Sequence, residues 1–116
     1  VICSRESVDV FNPKVLRAAM GSVFRVPVFY TELAPWLKLQ KAPVYIADLD
    51  GKSLSAAFRF HPDARILIGN EANGVSNELR QQVEAEVVTI PRFGEAESLN
   101  AAMTGAILGW HLRLGD

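Results

Sequence analysis

Two stretches in the second half of the sequence carry residues able to do chemistry: Ile66-Leu-Ile-Gly-Asn-Glu-Ala-Asn-Gly-Val-Ser76 and Val87-Val-Thr-Ile-Pro-Arg-Phe-Gly-Glu-Ala-Glu-Ser-Leu-Asn100. Each is an apolar run that stops at a loop of Gly, Asn and Glu, the pattern of buried parallel strands with ligand-binding loops at their carboxyl ends. In the first loop Gly69 and Gly74 permit close backbone approach or an unusual φ. Glu71 falls between them at a strand mouth. A carboxylate there either holds the loop by accepting backbone N–H bonds or acts on a ligand, and spacing alone favours the structural role. In the second loop Ile90-Pro91 ends the strand stiffly and Gly94 supplies a turn. Ser98 reads as the N-cap of a helix. Asn100, in the first turn of that otherwise apolar helix, has an amide that donates and accepts, which suits a hydroxyl-bearing ligand.

Other chemistries lack their residues. No Gly-x-Gly-x-x-Gly follows a strand and no Gly-Lys-Ser/Thr phosphate loop is present, so redox dinucleotides and NTP hydrolysis lose their usual anchors. His61 and His111 stand far apart in sequence with no cysteine beside them, which argues against a structural zinc site, and neither falls in a strand-end loop, so no Ser/His/Asp set is suggested. The single cysteine, Cys3, rules out an internal disulfide and fits a reducing, cytoplasmic compartment. No apolar run reaches membrane-spanning length.

The elements that must position these loops alternate between helix and strand. Asn12-Pro13 is a helix entry, with Asn as N-cap and Pro in the first turn. Val15, Leu16, Ala19 and Met20 form its apolar face, and Gly21 closes it. Val23 to Tyr30 reads as a strand, with Pro27 placing it at an edge. Thr31 is expected to cap a helix towards Lys41, with Leu33, Trp36, Leu37 and Leu39 inward. Val44 to Asp48 reads as a strand and Asp50-Gly51 as a turn. Residues 52–63 suit a short helix or an irregular crossover. Ala64–Gly69 is a buried strand, Ser76 caps a helix to about Glu84, and Glu86–Ile90 is the last strand. The whole indicates an α/β domain with a mainly parallel sheet flanked by helices. The initial Val1-Ile-Cys reads as the tail of a buried strand.

The terminal helix is apolar nearly all round. Leu99, Ala102, Met103, Ala106, Ile107 and Trp110 share one face, and Ala101, Gly105, Leu108, Gly109 and Leu112 another. Such a helix must be covered on nearly all sides. Ala101, Gly105 and Gly109 leave room for a second backbone, either within the core or in a homodimer seam.

With 116 residues, 49% of them hydrophobic, the chain suits one compact domain, and a net charge of −1 makes no overall electrostatic case for nucleic acid. Residues 1–65 hold nine Lys and Arg against six Asp and Glu, whereas residues 66–116 hold three against seven. The basic front half is a solvated surface on one reading, and on another an RNA contact through Arg5, Lys14, Arg17 and Arg25.

Gly69-Asn-Glu-x-x-Gly-x-Ser76 followed by Ile90-Pro-x-x-Gly-x-x-x-Ser-Leu-Asn100 resembles the second and third motifs of the SpoU (TrmH-like) RNA 2'-O-ribose methyltransferases. Ser7 to Gly21 is similar to the segment joining that family's first motif to its second. The resemblance covers essentially residues 1–116. It implies an α/β-knot (SPOUT) fold with a C-terminal trefoil knot, S-adenosyl-L-methionine as cofactor, rRNA or tRNA as partner, and a homodimer with its sites at the interface. It further implies that the backbone at Ala47, Gly69, Ile90 and Leu99 holds the cofactor, and that Glu71, Ser98 and Asn100 support catalysis. Arg92 and Ala19 stand where the family often has Met and Ser. The family's first motif, with an Asn and the catalytic Arg, has no match among these residues. The expectation is therefore an N-terminally truncated methyltransferase domain that is weak or inactive alone. The alternative is a cofactor-binding or dimerisation module without activity.

Overall fold

The computed structural model describes residues 1–95 and 98–114. The chain forms two compact units, Val1–Leu39 and Gln40–Asp116.

In the first unit, strand β1 (Ile2–Ser4) pairs parallel with β2 (Phe29–Thr31), Cys3 opposite Tyr30. Helix α1 (Pro13–Ala19) lies between them in sequence. Its entry is as expected: Asn12 Oδ1 accepts the Lys14 N–H at 2.9 Å, and Pro13 takes a position where no N–H is needed. Its exit differs. Met20 takes the left-handed conformation (φ 47°) and Gly21 follows at φ 85°, so two residues share the reversal assigned to Gly21 alone. Val15, Leu16 and Ala19 are half-buried, while Met20 is exposed.

The strand expected over Val23–Tyr30 shrinks to β2. Ser22–Phe24 is instead a 3-10 turn, tied by the Arg25 and Val26 N–H groups to the Ser22 carbonyl. Pro27 has no N–H for a ladder, and pairing starts only after it. Helix α2 (Leu33–Lys38) is capped at Glu32 without a side-chain bond, because Thr31 still belongs to β2. Leu37 is buried and Leu39 exposed, since the helix ends before it. The Tyr30 hydroxyl steadies the connection, donating to the Val8 carbonyl and accepting the Val10 N–H, each at 2.8 Å.

In the second unit a parallel sheet has the order β4-β3-β5, with β3 Val44–Ser53, β4 Arg65–Ile68 and β5 Glu86–Thr89. Helix α3 (Asn77–Gln82) connects β4 to β5, and α4 (Ala101–Arg113) follows β5. Because β3 is central and its neighbours run parallel to it, the loops leaving β4 and β5 emerge at the same end, on either side of it. This is the crevice that open α/β sheets use for ligands.

Asp50-Gly51 does not end the third strand. Pairing with β5 breaks after Ala47 and resumes at Lys52, both of which face Val88. A Cβ on Gly51 would stand 2.5 Å from the Val88 backbone, so the return requires glycine. Lys52 and Ser53 complete β3, and residues 54–63 form an irregular crossover. It contributes Leu54 and Phe60 to a buried cluster with Tyr45, Ala64, Val88 and Leu108. Tyr45, Phe58 and Phe60 meet edge to face, with ring centroids 4.9–6.2 Å apart.

Helix α4 presents Leu108 and Leu112 to this core. Its opposite side leaves Met103, Ile107 and Trp110 exposed, with Leu99 and Leu114 flanking the helix. The small residues do not receive a second backbone within this unit. A Cβ on Gly105 would meet the Ile68 side chain at 3.4 Å, and one on Gly109 would meet open space.

Candidate active site

The loop after β4 closes on itself. Asn70 and Gly74 exchange backbone bonds, the Asn70 N–H to the Gly74 carbonyl at 3.1 Å and the reverse at 2.7 Å. Inside the ring, Asn70 Oδ1 accepts the Ala72 N–H at 2.8 Å and the Asn73 N–H at 3.4 Å. Gly74 turns the chain at φ 65°. A Cβ on Gly69 would fall 2.1 Å from the Gly74 carbonyl carbon and 2.3 Å from the Val75 nitrogen. Two backbones therefore touch where Gly69 leaves the strand, and no larger residue fits. Ser76 then caps α3 as its type predicts, its hydroxyl accepting the Leu79 N–H at 3.2 Å.

Glu71 projects from this ring across to the other loop. Its Oε1 accepts the Asn100 Nδ2 amide at 3.1 Å and the Ala101 backbone N–H at 3.3 Å. The structural role suggested by its spacing is thus present, but the backbone it holds lies 30 residues away rather than in its own loop. A carboxylate at the start of a helix also complements the positive end of the helix dipole.

The cap of α4 is a correction. It is Asn100 and not Ser98: Asn100 Oδ1 accepts the N–H groups of Ala102 at 2.8 Å and Met103 at 3.4 Å. Ser and Asn cap about equally well, so a Ser-Leu-Asn sequence offers two starts. The start that is used lets the Asn amide bond Glu71 as well. The Asn100 amide is thereby largely committed to structure: Oδ1 is shared by two N–H groups, and of Nδ2 one hydrogen goes to Glu71. Ser98 lies exposed two residues before the cap, its hydroxyl left out of the helix start.

Of the remaining candidates, Ala47, Gly69 and Ile90 come together at the carboxyl end of the sheet. Ala47 lies opposite Ile68 on one side and Val88 on the other, so Gly69 and Ile90 leave the sheet one and two residues beyond its partners. Ala47 and Ile90 are half-buried against the core, Gly69 is half-buried, and Leu99 is exposed.

Two residues not singled out from the sequence also belong here. Asp48, directly after Ala47, forms an ion pair with Arg80 of α3. Arg80 Nε also donates to the Val75 carbonyl at 3.2 Å. The position of Asp48 at the carboxyl end of a buried run was the available signal. Its partner, 32 residues on, had none. Among the described residues no cluster of three or more potential metal ligands occurs, and no helix is long and apolar enough to cross a membrane.

Comparison with known proteins bears on this geometry. A model of the SpoU rRNA Methylase family matches residues 1–110. The chain is 34% identical, over 97% of its length and 46% of the relative's, to the 23S rRNA (guanosine(2553)-2'-O)-methyltransferase RlmP of Bacillus subtilis. Among solved structures, a TrmH-family RNA methyltransferase of Porphyromonas gingivalis superposes with a TM-score of 0.83 at 35% identity, covering 100% of this chain and 49% of that one. An AdoMet-bound rRNA methyltransferase of Sinorhizobium meliloti superposes with a TM-score of 0.81 at 29% identity, covering 98% and 45%. The chain therefore spans about half the length of each of these three proteins.

Proposed function

The chain belongs to the SpoU rRNA Methylase family, and from that premise we propose that it is the cofactor-binding part of an RNA 2'-O-ribose methyltransferase. The observation that carries the reading is the Glu71 bridge, which joins the two motif loops at the carboxyl end of the parallel sheet.

The residues present suit S-adenosyl-L-methionine. The half-buried backbone at Ala47, Gly69 and Ile90 offers N–H and carbonyl groups beside apolar surface, which a nucleoside needs, and Leu99 adds an apolar wall. When bound, the cofactor supplies an electrophilic methyl group. The chain's own part is positioning: in-line attack by a ribose 2'-oxygen needs both partners fixed to within fractions of an ångström. Glu71 holds the start of α4 and with it Leu99 and Asn100. The Ser98 hydroxyl and the second Nδ2 hydrogen of Asn100 are the polar groups that support the ribose. A ribose 2'-hydroxyl is a poor nucleophile until a neighbouring group takes or polarises its proton, and the resemblance gives that task to the family's first motif, which these residues do not match.

The rest of the reading extends from the same family. Residues 1–116 belong to one methyltransferase domain, whose loops after β4 and β5 form the α/β knot. The substrate is an rRNA or tRNA, met by the basic side chains of the first unit, in the cytoplasm. The exposed row Leu99, Met103, Ile107, Trp110 and Leu114 is covered by the same row of a second copy in a homodimer. Such an apolar row on a small domain is the usual mark of an interface.

Labelled cofactor and unmodified rRNA, incubated with the full-length protein, test the reading. Transfer of label to ribose 2'-oxygens that is lost in Glu71→Ala supports it. Binding of S-adenosylhomocysteine without transfer to any RNA would favour a non-catalytic module, and absence of binding would refute it.

A further inference from the structure

The geometry points to Arg80, acting through Asp48, as a positioning residue for the cofactor loops, an inference that rests on the cofactor reading above. Arg80 lies in the last turn of α3, a helix with no buried residue of its own. Its guanidinium reaches two separate places. Nη2 pairs with Asp48 Oδ2 at the point where β3 breaks from β5, and Nε bonds the carbonyl of Val75 at the close of the loop after β4. Asp48 is itself fixed, its Oδ1 accepting the Leu49 N–H at 2.6 Å.

Each end of this bridge adjoins a proposed cofactor contact. Asp48 follows Ala47 directly. Val75 is buried and follows Gly74, whose backbone lies against Gly69 and whose carbonyl accepts the Asn70 N–H. Moving Arg80 would therefore release both the point of β3 just after Ala47 and the ring that aims Glu71. Exposed ion pairs contribute little. Here the side chains are only 27% and 32% exposed, so the pair is partly shielded from water and its geometry is held. The planar fork of arginine matters too, since it fixes the angle between two acceptors. A lysine would satisfy one of them and leave the other.

The test is calorimetric titration of S-adenosylhomocysteine into the unaltered chain, Arg80→Lys, Arg80→Ala, Asp48→Asn and the double variant Asp48→Asn/Arg80→Ala, with circular dichroism confirming that each is folded at the titration temperature. Each single variant is expected to bind about tenfold more weakly, the scale of one lost charge-assisted hydrogen bond. The double variant is expected to bind no more weakly than Arg80→Ala, since both changes break one bridge. If Arg80→Ala fails to fold, Arg80→Lys and Asp48→Asn carry the comparison. Affinity within about twofold of the unaltered chain in those variants, with only the melting temperature lowered, would mark the pair as a helix anchor and overturn the inference; so would full affinity in Arg80→Lys. Failure of the unaltered, folded chain to bind would instead overturn the cofactor reading itself.

Discussion

The loops after β4 and β5 leave the same carboxyl end of one parallel sheet, yet they are held in opposite ways. The first is fixed from within. Asn70 and Gly74 close it with paired backbone bonds, the Asn70 side chain fills it, and the Gly69 and Gly74–Val75 backbones are in contact. Among the described residues of the second, the anchor at the start of α4 comes from without. Residues 91–95 are exposed, Phe93 fully so, and Gly94 turns at φ 147° with open space where a Cβ would stand. What fixes its far end is Asn100, and what fixes Asn100 is Glu71 of the first loop. The difference teaches that the first loop is a template and the second is fitted to it. Damage to the first should reach both; damage to the second should stay local.

Gly69→Ala is the severest break. The added methyl would overlap the Gly74–Val75 backbone, so the ring must open at a cost of about 3 kcal/mol or more. Chemical denaturation should show that loss, and titration should show S-adenosylhomocysteine binding abolished. Asn100→Ala comes next. It removes the α4 cap, worth about 1 kcal/mol, and leaves Glu71 without its amide partner. The expected result is a lower unfolding midpoint, with weaker binding but the β4 loop intact by amide exchange.

Gly94→Ala should be milder, about 1 kcal/mol, because the strain is a matter of φ alone with no neighbour to displace. Its binding should fall far less than that of Gly69→Ala, which sharpens the asymmetry. Ser98→Ala should change stability least, by under about 0.5 kcal/mol, because Ser98 is not the cap. In the full-length protein it should lower methyl transfer all the same. A stability loss as large as that of Asn100→Ala would restore Ser98 to the helix start.

The same asymmetry explains what could be read from the sequence. Template features announce themselves locally. Asn12-Pro13, Ser76 and the apolar runs of β4 and β5 each depend on neighbours within a few residues, and each formed close to where expected. At an edge of the sheet, however, β4 is half-buried with Ile68 exposed, and not the buried strand expected. Gly69 and Gly74 were each open to close approach or an unusual φ, and the structure has close approach at Gly69 and a positive φ at Gly74. Fitted features depend on distant partners. Choosing between Ser98 and Asn100 as cap needed knowledge of Glu71, and Arg80 became meaningful only once Asp48 lay beside it. The apolar content of Val23–Tyr30 suggested strand, but Pro27 and a 3-10 turn leave only its last two residues and Thr31 paired. In α4 hydrophobicity on every side hid the orientation, which shape decides: small residues admit the Ile68 side chain, and Leu108 fills the core.

The central claim is that Glu71 couples the two loops into one site. A double-mutant cycle on S-adenosylhomocysteine binding, with Glu71→Ala, Asn100→Ala and the pair combined, measures that coupling directly. The account predicts a coupling energy of about 1 kcal/mol or more, the double variant binding scarcely worse than either single one. Losses that simply add, or unchanged affinity in Glu71→Ala, would contradict it.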